Sequence, residues 1–266
     1  MIQKKFILLA ILACLATFIL SCEKASTTVS DKERPVVEAF LVPGSPIQVK
    51  VYYQKYLDDT ISYGYPVTGL KLKISDGTNT INPIETSPGV YIYSNTAFVK
   101  DNKTYSLSFA YNGNTVTAQT TVPSKPVGFK ASATQQYVPG FSFGSTPKTF
   151  TPVVFSWTNP NSDYFLMVFQ DTTSNPNPLN SGNTTAYKDS EVILGQVVSY
   201  QTSAMTFTYL GNYNVLLYHI NKEYSDALNS SGGTSLNLTN PATNVVNGLG
   251  IFTAMRADTV SLLVYQ

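Results

Sequence analysis

Between Thr104 and Val122 the apolar residues fall on every second position. Tyr105, Leu107, Phe109 and Tyr111 alternate with Ser106, Ser108 and Ala110. A period of two puts one set on each face of a β-strand, so this run has one face for a core and one for water. Asn112-Gly113 follows. Both residues tolerate the positive φ angles of a type I′ turn, which predicts a two-residue hairpin. Val116, Ala118, Thr120 and Val122 resume the alternation on the returning strand. A chain made of such hairpins hides its apolar faces by stacking sheets, so a β-sandwich is the expected outcome.

The same signal recurs from Pro35 onward. Val36, Val37, Ala39 and Leu41 begin a strand-like run, and Ile47, Val49, Val51 and Tyr53 alternate with polar neighbours. Leu70, Leu72 and Ile74 alternate with Lys71 and Lys73 ahead of an Asp76-Gly77 turn, and Val90 to Tyr93 is another short run. Pro123 to Pro126 (PSKP) reads as a hinge. Beyond it, Val153, Phe155 and Trp157 alternate, and Trp157 reads as a core residue. Tyr164 to Gln170 is nearly all apolar, as in a central strand. Met205 to Tyr209 and Asn214 to Ile220 read as an antiparallel pair around Gly211-Asn212, and Val260 to Tyr265 as a terminal strand. One helix is expected, with Asn221 as its cap, Tyr224 and Leu228 on one face and Gly232 at its end. The expected fold is mainly β: two tandem β-sandwich domains, immunoglobulin- or transthyretin-like and then fibronectin-like, with one short helix near the C-terminus. The first spans residues 35–122, the hinge 123–126, and the second 127–266 with a capping helix at about 221–231.

The segment ahead of Pro35 concerns location. Lys4 and Lys5 precede an uncharged apolar run, Phe6 to Leu20, which is too short and too early for a spanning helix and reads as a signal peptide over residues 1–21. It ends in Leu20-Ser21-Cys22, a small residue followed by a thiol, the pattern of a bacterial lipobox. Cys22 is therefore the expected lipidation site. Cys14 is the other candidate, but cutting there would leave LATFIL exposed. Glu23 to Arg34 is polar and aperiodic, which makes 22–34 a flexible tether. The chain has two cysteines, Cys14 and Cys22, so after cleavage the body keeps no thiol for a disulfide, a metal site or a nucleophile.

Charge excludes a further class. Lys and Arg number 17 against 16 Asp and Glu, a net charge of +1, and no basic run of the nucleic-acid type occurs. Gly140-Phe-Ser142-Phe-Gly144 fits G-x-S-x-G, and Asp163, Asp171, Asp189 and His219 follow in the chain order of α/β-hydrolases. That motif needs a strand–turn–helix elbow, whereas here it lies in a loop flanked by Pro139 and Pro147. A serine hydrolase using Ser142 and His219 is the remote reading, and no catalytic residue is assigned. With a single His, no metal set is assigned, and no cofactor fingerprint is present. Asp58-Asp59 lacks the spaced oxygen ligands of a calcium loop. The N-x-S/T triplets at Asn102, Asn183, Asn229 and Asn237 follow from the abundance of Asn, Ser and Thr.

The stretch Tyr52 to Tyr65 (YYQKYLDDTISYGY) offers the most suggestive surface. Tyr56, Tyr63 and Tyr65 surround the acidic pair Asp58 and Asp59, an aromatic patch with a charged rim that suits contact with a sugar or a partner protein. The alternative is that these tyrosines cover the sandwich edge.

Three stretches, PVVEAFLVPGSPIQVKV, PVTGLKLKI and LYHINKEYSDALN…NPATNVVNGLGIF, resemble a family of Bacteroidota lipoproteins, the domain of unknown function four-two-four-nine. The resemblance covers essentially the mature chain. It implies a lipid-anchored outer-membrane protein, often encoded beside a TonB-dependent receptor, and it implies no activity and no site residues. The expected role is therefore a non-catalytic binding or accessory subunit of a TonB-linked uptake system, with a structural or adhesive envelope protein as the alternative. Asp59-Thr60-Ile61, Asp171-Thr172-Thr173 and Asp258-Thr259-Val260 resemble O-glycosylation sites of the same bacteria, with Thr259 expected at the start of a strand.

Overall fold

The computed structural model describes residues 34–54, 64–140, 149–174, 176–179, 189–230 and 242–266. The alternating runs are strands. In the first half these are β1 (Pro35–Leu41), β2 (Ile47–Tyr53), β3 (Lys73–Ser75), β4 (Thr80–Ile81), β5 (Ile84–Ser87), β6 (Val90–Tyr93), β7 (Thr104–Tyr111) and β8 (Asn114–Thr121). In the second half they are β9 (Val127–Ala131), β10 (Gln135–Tyr137), β11 (Val154–Thr158), β12 (Tyr164–Asp171), β13 (Asn177–Pro178), β14 (Ser190–Gly195), β15 (Ser199–Gln201), β16 (Tyr209–Ile220), β17 (Val245–Val246) and β18 (Leu249–Tyr265). One helix, α1 (Lys222–Ser230), stands between β16 and β17. The fold is mainly β and sandwich-like.

Three sheets carry it. Among the described residues a ten-stranded sheet runs β14-β12-β16-β18-β1-β2-β6-β5, with β10 added on β18 and β13 on β16. Two smaller sheets complete the fold: β17-β8-β7-β3-β4 and β15-β11-β9. The first core sets Val37, Leu41, Val49 and Val51 with Leu107, Phe109 and Val116, all buried. The second sets Phe129, Phe155 and Trp157 with Met167, Phe169 and Val215. Burying one such side chain contributes roughly 1.5–3 kcal/mol. Trp157 is a core residue, its ring 5.6 Å from that of Phe165.

The second unit is not closed on itself, which corrects the partition at 127–266. Strand β18 is 17 residues long. Its first part pairs in parallel with β1, from Val36↔Leu249 to Leu41↔Ala254. Its remainder pairs antiparallel with β16, from Ile220↔Met255 to Gly211↔Val264. Val245, Phe252 and Ala254 therefore lie in the first core, Leu262 and Val264 in the second. The inner face of β18 changes from apolar to polar between them, at Arg256 and Asp258. There Arg256 Nε stands 3.0 Å from Asp101 Oδ1, an ion pair not aligned as a hydrogen bond, and Lys125 Nζ stands 2.9 Å from Asp258 Oδ1.

Three further expectations are corrected. Gly211-Asn212 is not a turn: β16 runs through it unbroken. A glycine is needed there because a Cβ would strike Thr173 and Asp171, and Asn212 N–H donates to Thr173 Oγ1 (2.9 Å). The strand expected from Leu70 starts only at Lys73. Gly69 N–H donates to Glu85 Oε2 (2.8 Å) and Leu70 N–H to Tyr91 Oη (3.1 Å), which draws this stretch toward β5 and β6. The run expected from Val260 is the end of β18.

Helix α1 covers the opposite face of the large sheet. Tyr224 and Leu228 pack with Phe40, Leu166, Ile220 and Met255, and the Tyr224 ring meets Phe40 edge-on at 5.1 Å. The Asn221 carbonyl accepts the N–H of Tyr224 and Ser225 (both 3.1 Å). Its side chain does not face the helix: Nδ2 donates to Thr121 O (2.9 Å), Thr120 Oγ1 (2.9 Å) and Ala254 O (3.3 Å). Asn244 bridges the same two strands, donating to Phe252 O (2.7 Å) and Gln119 O (3.2 Å) and accepting Phe252 N–H (3.0 Å). Two amide side chains thus stand where a strand would otherwise join β8 to β18.

Candidate functional site

The candidate patch begins where the chain enters the body. Pro35 opens β1 opposite Tyr53 in register. Residues 64–67 lie beside the same end of β2: Tyr53 N–H donates to Tyr65 O (2.8 Å), Val67 N–H to Val51 O (2.9 Å), and Tyr52 and Pro66 form a bridge. Gly64 sits so close to the Tyr53 carbonyl that a Cβ would overlap it. The described residues on either side of 55–63, Gln54 and Gly64, therefore both lie at the end of β2 that pairs with Pro35. Tyr65 is 69% exposed, and Tyr53 is half-buried against Tyr111, with ring centroids 6.5 Å apart. Tyr56, Asp58, Asp59, Thr60 and Tyr63 lie outside the described residues, as does Cys22. Of the patch, the structure places Tyr65 alone, with its ring in solvent.

The hydrolase constellation does not assemble among the described residues. His219 Nδ1 lies 2.9 Å from the Ser124 carbonyl. A carbonyl only accepts, so Nδ1 carries the proton. Nε2, the nitrogen that would have to face a nucleophile, lies 3.7 Å from Asp163 Oδ2 instead. Asp163 is in turn fixed by Asn159, whose Oδ1 accepts its N–H (2.7 Å) and whose Nδ2 donates to its carbonyl (2.9 Å). His219 ties the 123–126 crossing to the residue just ahead of β12. Ser142 lies outside the described residues. Among those residues no three His, Cys, Asp or Glu side chains stand together as a metal set.

The two described threonines of the Asp-Thr triplets are exposed. Thr172 Oγ1 donates to Asn212 O (2.8 Å). Thr259 sits within β18 and not at its start, and its N–H donates to Asp258 Oδ1 (2.9 Å).

Sequence reading missed the surroundings of Gly69 to Lys71. A cleft of about 430 Å³ opens on one side, between Lys71, Lys73, Ser108 and Ala110, and one of about 360 Å³ on the other, reaching Asn82, Ile84 and Glu85. Hydrogen bonds from the Gly69 and Gly89 amides hold the Glu85 carboxyl below the usual carboxylate range, with Lys71 adding to the effect. The available signal was Gly69, which breaks the strand pattern just ahead of Leu70.

Among solved structures, the FN1–FN3 domains of chicken CNTN1 align over 88% of this chain, with 11% identity and a TM-score of 0.27. The alignment spans 65% of that chain's length. No curated protein matches the sequence. A family model described as Domain of unknown function (DUF4249) matches residues 23–261, and the chain belongs to that family.

Proposed function

We propose that this chain is a lipid-anchored outer-membrane protein that serves a TonB-linked uptake system as a non-catalytic binding or accessory subunit. One observation carries the reading: Leu20-Ser21-Cys22 ends an uncharged apolar run and is followed by a polar stretch that reaches the body at Pro35. The Cys22 thiol is what diacylglycerol transfer needs, and stable anchoring takes more than one acyl chain. The Tyr65 end of the aromatic stretch supports contact inside the same membrane, because it lies beside the strand that the tether enters. A partner in the same membrane is the contact we assign to this end of the body.

The test is made in the native host. Wild-type chain is expected in the outer-membrane fraction, bound to a TonB-dependent receptor identified by mass spectrometry. Cys22→Ala is expected to remain an uncut precursor or to leave the membrane, and to lose the receptor. A processed Cys22→Ala protein that still fractionates with membranes would overturn the anchor. A wild-type complex without any such receptor would overturn the uptake role.

A further inference from the structure

Among the described residues, the hairpin β7–β8 leaves one strand edge open beside β3. Its turn has two residues, Asn112 (φ 46°) and Gly113 (φ 76°), and the flanking pair is Tyr111↔Asn114. In a two-residue hairpin that pair exchanges its backbone hydrogen bonds, and such pairs recur at every second residue. The N–H and C=O of Tyr111, Phe109, Leu107 and Tyr105 thus point at β8. Those of Ser106, Ser108 and Ala110 point the other way, toward β3. Strand β3 meets only two of these three, Ser106 by Ser75 and Ser108 by Lys73. Ahead of Lys73 the chain turns away to Glu85 and Tyr91. Ala110, an exposed residue, is left facing the 430 Å³ cleft with one donor and one acceptor.

Charge specifies what can enter. Lys71 and Lys73 line the cleft and are exposed, and among the described residues neither forms an ion pair. The nearby carboxylate, Glu85, is occupied by the Gly69 and Gly89 amides. The floor includes Phe109, which is buried, and Leu70, which is half-buried. We infer that this cleft binds an extended acidic segment of a partner protein, which adds as a short strand beside Ala110. Its main chain would pair with the Ala110 N–H and C=O, and alternate side chains would carry carboxylates to Lys71 and Lys73. Main-chain pairing supplies part of the affinity and the lysines supply the choice of partner. The site is independent of Cys22 and of the tyrosine patch.

The probe is a fluorescein-labelled ten-residue peptide of alternating Val and Glu, read by anisotropy with the full chain in detergent. Binding is expected to weaken as salt rises, and the Val/Lys counterpart is expected not to bind. Lys71→Glu with Lys73→Glu should weaken binding by at least about tenfold. Ala110→Pro should do the same while thermal melting is unchanged, because the lost N–H faces an open edge. The Ala110 amide in the wild-type chain gives a second readout that needs no variant: its hydrogen exchange should slow when the Val/Glu peptide is added. The inference falls if this peptide does not bind, if it binds equally well to the charge-reversed variant, or if the Ala110 amide exchanges at the same rate with and without it. A polygalacturonate fragment that binds instead, without slowing that amide, would also overturn it, since the lysines alone would then define the site.

Discussion

Tyr65 and two carboxylates show how much single positions decide. Tyr65 is exposed while its carbonyl holds Tyr53, so the ring is free for contact and the backbone is not. Tyr63→Ala with Tyr65→Ala is expected to weaken a receptor complex by about 2 kcal/mol, the loss typical of buried interface tyrosines. Melting should stay unchanged, and equal co-purification of variant and wild type would exclude the contact. Asp76 is held at about 2 by the Asn79 and Thr78 amides, helped by Lys103, and Glu85 is lowered in the same direction by Gly69 and Gly89. A carboxyl lowered in the folded state stabilises it above its ordinary value and loses that contribution as pH falls through the lowered one. For Asp76 the window runs from near 3.8 down to about 2. The melting temperature should drop across it, and Asp76→Asn should make the profile flatter. An unchanged slope in the variant would show that other groups carry the acid sensitivity. The turn at Asp76 was legible in Asp76-Gly77, but the Glu85 role was not, because Glu85 meets Gly69 and Gly89 only after the sheet edge has formed.

At the scale of elements, local pattern was a good guide and pairing was not. The alternation at Ile47–Tyr53 and at Thr104–Thr121 gave strands with nearly those bounds, and the Asn-Gly hairpin formed as expected. The helix also formed, but Asn221 uses its side-chain amide on β8 and β18, which no reading of capping residues could show. Strand β3 was shortened by hydrogen bonds from another sheet, and β16 was read as two pieces because Gly211 looks like a turn and is a point of close packing. The asparagine bridge gives a direct prediction. Asn244→Ala removes two donors and one acceptor from the β8–β18 seam and should cost about 1–3 kcal/mol in chemical denaturation. Asn244→Asp should cost at least as much at neutral pH, since it turns a carboxylate toward the Phe252 and Gln119 carbonyls. If both variants melt like wild type, the seam is held by apolar packing alone.

At the scale of the molecule, the sequence pointed to two sandwiches, and the structure joins them through one strand. The reason this was hidden is chemical: Arg256, Asp258 and Thr259 interrupt the apolar period of β18 where it passes between the cores. Its parallel partner β1 lies more than two hundred residues earlier, beyond the reach of local pattern. A shared strand couples the halves. Ala257→Pro falls between them, opposite Tyr218, and a proline inside a central strand removes a ladder bond or distorts it, costing about 3 kcal/mol or more. Calorimetry of the wild type should give one transition, with the lone Trp157 in the second core reporting the same midpoint as hydrogen exchange in β7 of the first. The variant should lower both midpoints together. Two separated transitions in either protein would mean that the cores melt independently.

The parallel pairing of β1 with β18 also fixes how the body resists mechanical load. A force applied between Pro35 and Gln266 pulls β1 backward by its first residue and β18 forward by its last. The six register pairs from Val36↔Leu249 to Leu41↔Ala254 are then loaded in shear, all at once. Their bonds must fail together, whereas in a hairpin pulled open from its ends they fail one at a time. The rate of such forced failure is set by the unfolding barrier and not by equilibrium stability. A body loaded between Pro35 and Gln266 meets this six-pair ladder in shear.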